Sequence, residues 1–160
     1  MKLLLFLAIL LCSQAHASDT ILVGDSTIAL NKWDYDTCAT KGATVGDLIG
    51  MCDASMRQRV VISVGVNDVI SKANLAESFE QYRHLALWAS GQGRKVILCT
   101  IPYYGRIDFR RENFNDFIIF LSEKEGYEII RLDNMLNEFD TDDGLHPNEQ
   151  GYDKWEKALA

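Results

Sequence analysis

Short apolar runs rich in β-branched residues alternate along this chain with longer segments whose apolar positions recur every three or four residues. The runs predict five strands: Thr20–Val23, a weaker one near Asp36–Ala39, Val60–Val64, Lys95–Thr100 and Tyr127–Leu132. Most lack the in–out alternation of a half-exposed strand, which suits a parallel sheet covered on both faces. Between them, Leu75, Phe79, Tyr82, Ala86 and Ala89 repeat at helical spacing. Asn74 supplies a cap there, with Glu77 as capping-box partner, and Gly91 and Gly93 end the segment. Phe109, Phe114, Phe117, Ile118 and Leu121 form a second stripe, closed by Gly126. Tyr152, Trp155 and Leu159 form a third, with Pro147 as candidate first helical residue. Thr44 is placed to cap a short helix carrying Val45, Leu48 and Ile49. These stripes are core faces, and the alternation predicts an α/β fold: a three-layer α/β/α sandwich around a mainly parallel five-stranded sheet.

The first 17 residues read differently. Met1 and Lys2 precede the unbroken apolar run Leu3–Leu11, and Ala15-His16-Ala17 supplies a small-x-small cleavage pattern. The run is about half the ~20 residues that span hydrocarbon. Lipid attachment at Cys12 is disfavoured by Leu11, where a small residue is needed. The expectation is a signal peptide over residues 1–17 and one domain over 18–160, secreted or periplasmic, with no stable membrane anchor after cleavage. A 48% hydrophobic and 24% charged chain is globular in composition. With 16 Lys+Arg against 23 Asp+Glu, it lacks the basic balance that nucleic acid or an anionic membrane surface would attract.

Past the predicted leader stand Cys38, Cys52 and Cys99, an odd count that leaves at least one thiol unpaired within the chain. Cys99 closes the apolar run Val96-Ile97-Leu98 and reads as a small buried hydrophobe. Cys38 and Cys52 flank a short segment and form the expected disulfide, a loop worth about 3 kcal/mol in the chain-entropy model. No Cys-x-x-Cys motif supports a thiol redox site or zinc knuckle.

In an open parallel sheet, ligands bind beyond the carboxyl ends of the strands. The polar residues that follow the strands are therefore informative: Gly24-Asp25-Ser26, Gly42-Ala43-Thr44 and Gly65-Val66-Asn67-Asp68, with Asp143-Gly144-Leu145-His146-Pro147-Asn148 near the end. Each alone is a common turn; their order together suits acyl transfer. Ser26 needs a base to become a nucleophile. His84 falls mid-helix without suitable polar company, whereas His146 has Asp143 three residues earlier to orient its ring, with Asp142 as an alternative. The amides of Ser26 and Gly42 and the side-chain NH2 of Asn67 are the candidate oxyanion donors. Trp33, Tyr35, Tyr103 and Tyr104 are candidates to line the cleft mouth and stack on a substrate. Arg106, Arg110 and Arg111 suit either a solvated helix start or an anionic substrate. One rival reading is a metal site from Asp140, Asp142, Asp143 and His146, but it leaves Ser26, Gly42 and Asn67 unused. Another is a non-catalytic carbohydrate-binding module on the same scaffold, which would not need the acid–base pair.

Taken in order, these blocks resemble the SGNH hydrolase family, also called GDSL-type esterases and lipases, over essentially the whole segment after the leader. The resemblance implies a flavodoxin-like fold and ester or thioester hydrolysis without metal or other cofactor. It makes Ser26 the nucleophile, Asp143 and His146 its partners, and Ser26, Gly42 and Asn67 the oxyanion hole. The expected substrate is a small-molecule or glycan ester; thioesterase or lysophospholipase activity is the alternative within the family. Two features depart from the pattern. Thr27 stands where the family usually has leucine, and the chain is short, with little room for a lid, which favours short-acyl or acetyl esters.

Overall fold

The structure, a computed structural model, describes residues 19–54, 57–103 and 108–160. The predicted leader, Tyr104 and Arg106 lie outside the described residues. Strands β1 (Thr20–Gly24), β2 (Asp36–Ala39), β3 (Arg59–Ser63), β4 (Lys95–Cys99) and β5 (Glu128–Ile130) pair in parallel throughout, in the order β2-β1-β3-β4-β5. The helices are α1 (Ser26–Ala29), α2 (Val45–Leu48), α3 (Val66–Ile70), α4 (Leu75–Ser90), α5 (Phe109–Glu125), α6 (Leu132–Met135) and α7 (Glu149–Leu159).

The strands divide their side chains between two cores, one on each face. Ile21, Val23, Val60, Ile62, Val96 and Leu98 join Val45 of α2, Val69 of α3, Leu85 of α4 and Phe114 and Ile118 of α5. Leu22, Val61, Ile97 and Cys99 join Ile28 of α1, Leu132 of α6 and Trp155 and Leu159 of α7. Alternate residues of each strand thus face opposite ways, and both ways are apolar. That is the physical basis of the three-layer sandwich, with about 1.5–3 kcal/mol for each large side chain fully buried. Cys99 is 1% exposed, and burial pushes its thiol up to about 12, so it packs as a hydrophobe.

The order of the sheet places the site. The chain leaves β1 for β2 on one side, then crosses back to β3 on the other, opening a crevice at the carboxyl ends of β1 and β3. Gly24 makes the crevice tight. A Cβ there would strike the Ser63 carbonyl oxygen and lie 2.7 Å from Cγ1 of Ile28, so only glycine lets the chain turn into α1 against β3.

Several local expectations are corrected. Asn74 caps α4 by accepting from the Ala76 N–H at 3.1 Å, but Glu77 makes no capping box; its carboxylate accepts from Gln81 at 3.5 Å. Phe109 is 74% exposed because Asp108 caps α5 and leaves the next residue facing outward; Phe114, Ile118 and Leu121 carry the buried stripe. Pro147 precedes α7, whose cap is Asn148, accepting from the Gly151 N–H at 3.1 Å. The last strand ends at Ile130, because Arg131 and Leu132 open α6.

Arg110 and Arg111 are neither a solvated helix start nor free for an anion. Arg110 Nε donates to the Val69 carbonyl at 3.3 Å and Nη2 to that of Ala73. Arg111 is 8% exposed and Nη1 donates to the Pro102 and Tyr103 carbonyls at 2.9 and 3.3 Å. Both bolt the start of α5 to neighbouring loops. Trp33 is likewise committed: its Nε1–H donates to the Ile28 carbonyl at 2.8 Å, and its ring meets Tyr152 and Trp155 edge-on at 5.5 and 5.2 Å. Trp33 and Tyr35, both half-buried, pack against the α7-side core. Among the described residues, no helix is long and apolar enough to cross a membrane.

Trp155 is fully buried between α7 and the sheet. Trp155→Ala is expected to lower the unfolding free energy by about 3–5 kcal/mol in denaturant titration, with no loss of esterase activity in the protein that remains folded.

Candidate active site

Ser26 is the first residue of α1, held there by Asp25, whose carboxylate caps the helix. Ser26 is 7% exposed, and its Oγ lies 3.0 Å from His146 Nε2. His146 Nδ1 lies 2.7 Å from Asp143 Oδ2. With Nδ1–H donating a hydrogen bond to that carboxylate, Nε2 is left as an acceptor for the serine hydroxyl. Distant segments therefore form one line of carboxylate, imidazole and hydroxyl.

The loop that carries the imidazole is built locally. Asp143 Oδ1 accepts from the N–H groups of Leu145 and His146, each at 2.8 Å, and from Thr141 Oγ1 at 3.2 Å. Thr141 Oγ1 in turn accepts from the Gly144 N–H at 2.9 Å, and Thr141 pairs with Pro147 in an isolated antiparallel bridge. The backbone N–H and ring of His146 hold the Asp143 carboxyl well below the usual carboxylate range. Asp142 is turned elsewhere; its Oδ1 accepts from Asn148 Nδ2 at 3.3 Å. Of the two candidate orienting carboxylates, only Asp143 meets the ring.

The base of the loop is fixed by Asp140, which is fully buried. Its Oδ2 accepts from Lys154 Nζ at 2.7 Å and from the Asn137 N–H at 2.9 Å. The donors of the rival metal reading thus face separate partners. Among the described residues, no group of three or more His, Cys, Asp or Glu is arranged to hold a metal ion. Tyr152 on α7 donates its hydroxyl to the Thr27 carbonyl at 3.0 Å, tying the helix behind His146 to the helix of Ser26. Burial raises the Tyr152 hydroxyl to about 12, so it remains a donor.

On the other side, Gly42 is exposed with φ +78°, and open space surrounds the position a Cβ would take. Positive φ, rather than crowding within the protein, is what demands glycine here. Asn67 is half-buried on α3 and spends one amide hydrogen on the Ala43 carbonyl at 2.8 Å, leaving the other free. Cys38 and Cys52 are joined, closing the segment that carries Gly42 and Ala43. Tyr103 is half-buried beside the β4 loop.

Two buried carboxyls of the site were not singled out by sequence reasoning, although each adjoins a residue that was. Asp25 is 1% exposed, and its Oδ1 accepts from both the N–H and the Oγ1–H of Thr27 at 2.9 Å. Thr27, the departure from the family pattern, thereby adds a second donor to that oxygen. Burial still pushes the Asp25 carboxyl up to about 6. Asp68, also 1% exposed, is raised by burial against the bonds it makes to Ser78 and Val45.

A family model, the GDSL-like lipase/acylhydrolase family, matches residues 16–154. The chain belongs to the GDSL-like lipase/acylhydrolase family, and is a serine hydrolase acting on ester bonds. Its fold is shared with solved structures of low identity. One is a GDSL-like lipase from Bacteroides thetaiotaomicron, 22% identical, with a TM-score of 0.66 over 89% of this chain and 85% of that one. Another is an acetylxylan esterase from Geobacillus stearothermophilus, 17% identical, with a TM-score of 0.72 over 90% and 92%. A further acetyl xylan esterase is 21% identical, with a TM-score of 0.73 over 88% and 100%. No curated protein sequence matches the chain.

The Asp25 environment fixes a pH dependence of stability. Its folded value lies above the unfolded one, so its contribution is fully present below pH 3.8 and is lost as pH rises to about 6. The rise from 3.8 to about 6 corresponds to roughly 3 kcal/mol. Asp143 acts in the opposite sense and below that window, its contribution being lost as pH falls under the usual carboxylate range. Unfolding titrations from pH 4 to pH 7 are expected to give a shallower decline for Asp25→Asn than for wild type; parallel profiles would contradict this account.

Proposed function

We propose that this chain is a serine esterase that removes short acyl groups, acetyl foremost, from glycan esters through an acyl-enzyme on Ser26. The observation that carries the reading is the continuous pair of contacts from Asp143 through His146 to Ser26. His146 takes the Ser26 proton as Oγ attacks the carbonyl carbon. Asp143 keeps the ring in the right tautomer and stabilises the imidazolium. The oxyanion is held by the N–H groups of Ser26 and Gly42 and by the free amide hydrogen of Asn67. Collapse releases the alcohol, which takes its proton from His146. Water activated by the same imidazole then attacks the acyl-enzyme, and the acid leaves as Ser26 regains its proton.

Several features support the glycan ester. A groove of about 440 Å³ runs between Leu30-Asn31-Lys32, just past α1, and Pro147-Asn148-Glu149 at the start of α7. Its lining includes Pro147, the residue after His146, though neither His146 nor Ser26. Asn31, Glu149 and Asp153 offer hydrogen-bond partners for hydroxyl groups, and Leu30 and Tyr152 offer apolar surface. Its three carboxylates, Glu149, Asp153 and Glu156, suit a neutral polyol better than an anionic headgroup. The similar folds of two acetyl xylan esterases point the same way. The Cys38–Cys52 disulfide persists in oxidising compartments, which together with the leader pattern supports a secreted or periplasmic enzyme.

The reading is tested with p-nitrophenyl esters of increasing acyl length and with acetylated oligosaccharides. Acetyl release is expected to be fastest, and Ser26→Ala is expected to abolish both turnover and labelling by a fluorophosphonate probe. Undiminished hydrolysis by Ser26→Ala would overturn it. Asn67→Ala is expected to lower kcat by about 100-fold with KM little changed, the usual cost of one oxyanion donor. Cys38→Ser/Cys52→Ser is expected to lower stability by about 3 kcal/mol and to reduce activity by loosening the Gly42 segment, read by denaturant titration and initial rates beside wild type with and without reductant.

A further inference from the structure

Asp68 takes no part in the proton path, yet both its oxygens reach across element boundaries. Oδ2 accepts from the Val45 N–H at 3.0 Å, and Oδ1 accepts from Ser78 Oγ at 2.7 Å. Val45 opens α2, three residues after Gly42, and Ser78 lies within α4. The preceding residue, Asn67, donates to the Ala43 carbonyl at 2.8 Å. Two adjacent side chains of α3 therefore grip the 43–45 segment, one by a carbonyl and the other by an N–H.

We infer that Asp68 is a positioning residue of the oxyanion hole: its carboxylate, braced on α4 through Ser78, sets the Gly42 amide at a fixed distance from the Asn67 amide group. The inference rests on the serine-esterase reading. Its chemistry is specific. Two donors approach Asp68 from different elements, and a carboxylate offers an acceptor oxygen to each without rearrangement. Burying that group is costly, since desolvation works against the charged form. The contacts that offset that cost join the two flanks of the hole, one of them at the N–H of the core residue Val45. An oxyanion donor displaced by even an ångström loses much of its effect on the transition state while ground-state binding persists. Asp68 should therefore act on kcat and should act through Asn67.

The test is a double-mutant cycle on p-nitrophenyl acetate, with Tm measured for every variant. Asp68→Ala is expected to lower kcat about 10–100-fold, with KM within about twofold of wild type. On the Asn67→Ala background, where the hole is already broken, the same change is expected to cost less than about threefold. Asp68→Asn is expected to recover most of the rate, since its Oδ1 can accept from Val45 while its NH2 donates to Ser78 Oγ. Should Asp68→Ala fail to fold, Asp68→Ser takes its place in the cycle, its hydroxyl being too short to reach both partners. Equal losses on the two backgrounds, or a lowered Tm with kcat intact, would overturn the inference. Activity that survives Ser26→Ala would instead bring down the esterase reading itself, whereas Ser26-dependent activity with an additive cycle removes only the role of Asp68.

Discussion

Where β1 ends, Gly24 passes so close to the Ser63 carbonyl of β3 that no side chain fits between them. Much of the site follows from that contact. It delivers Asp25 and Ser26 into the crevice between two neighbouring strands, with α1 starting at once and the Ser26 hydroxyl at its first position. The parallel order of the sheet brings the end of β3, and with it Asn67 on α3, to the same edge. The Gly42 segment follows β2 on the other side of β1. Packing alone thus aligns a hydroxyl and the two flanks of a candidate anion site before any acid–base group is added.

Four aspartates then fix the details, and each does so in a different environment. Asp143 is the most exposed, and donors of its own loop hold its carboxyl below the usual carboxylate range. Asp140 is sealed beneath that loop and paired with Lys154. Asp68 lies buried between three elements, and Asp25 lies buried beside Ser26 with Thr27 as its main partner. Desolvated carboxylates are poor stabilisers, and the pressure on Asp25 to take up a proton shows the expense. Their concentration around one hydroxyl is better explained by the geometry they enforce than by the stability they add.

The fold was legible because apolar runs and helical stripes are long-range averages over many residues. Val60–Val64 and Lys95–Thr100 could scarcely be anything but interior strands, and Tyr152, Trp155 and Leu159 mark one face of α7. The short helices α1, α3 and α6 escaped, since four or five residues carry no periodicity. Ser26 and Asn67 stood out because polar residues soon after interior strands are exceptions to the pattern, and Asp143 and His146 because a carboxylate three residues before an imidazole suits a turn that presents both. Asp25 and Asp68 sit in the same turns and looked like ordinary turn residues; only their burial separates them. The arginines were not legible as helix anchors: Arg110 and Arg111 satisfy backbone carbonyls, as Trp33 also does, and no periodicity reveals a side-chain-to-carbonyl bond between separate segments.

The serine and its imidazole partner are 120 positions apart, one at the beginning of the sheet and the other beside the last helix. Every strand of the sheet, and both flanks of the candidate anion site, therefore precede the imidazole in the chain. The ring reaches the hydroxyl only because α7 is seated on the sheet and tied to α1 through Tyr152 and Thr27. Reactivity is thus a property of the closed fold and of no single segment of it.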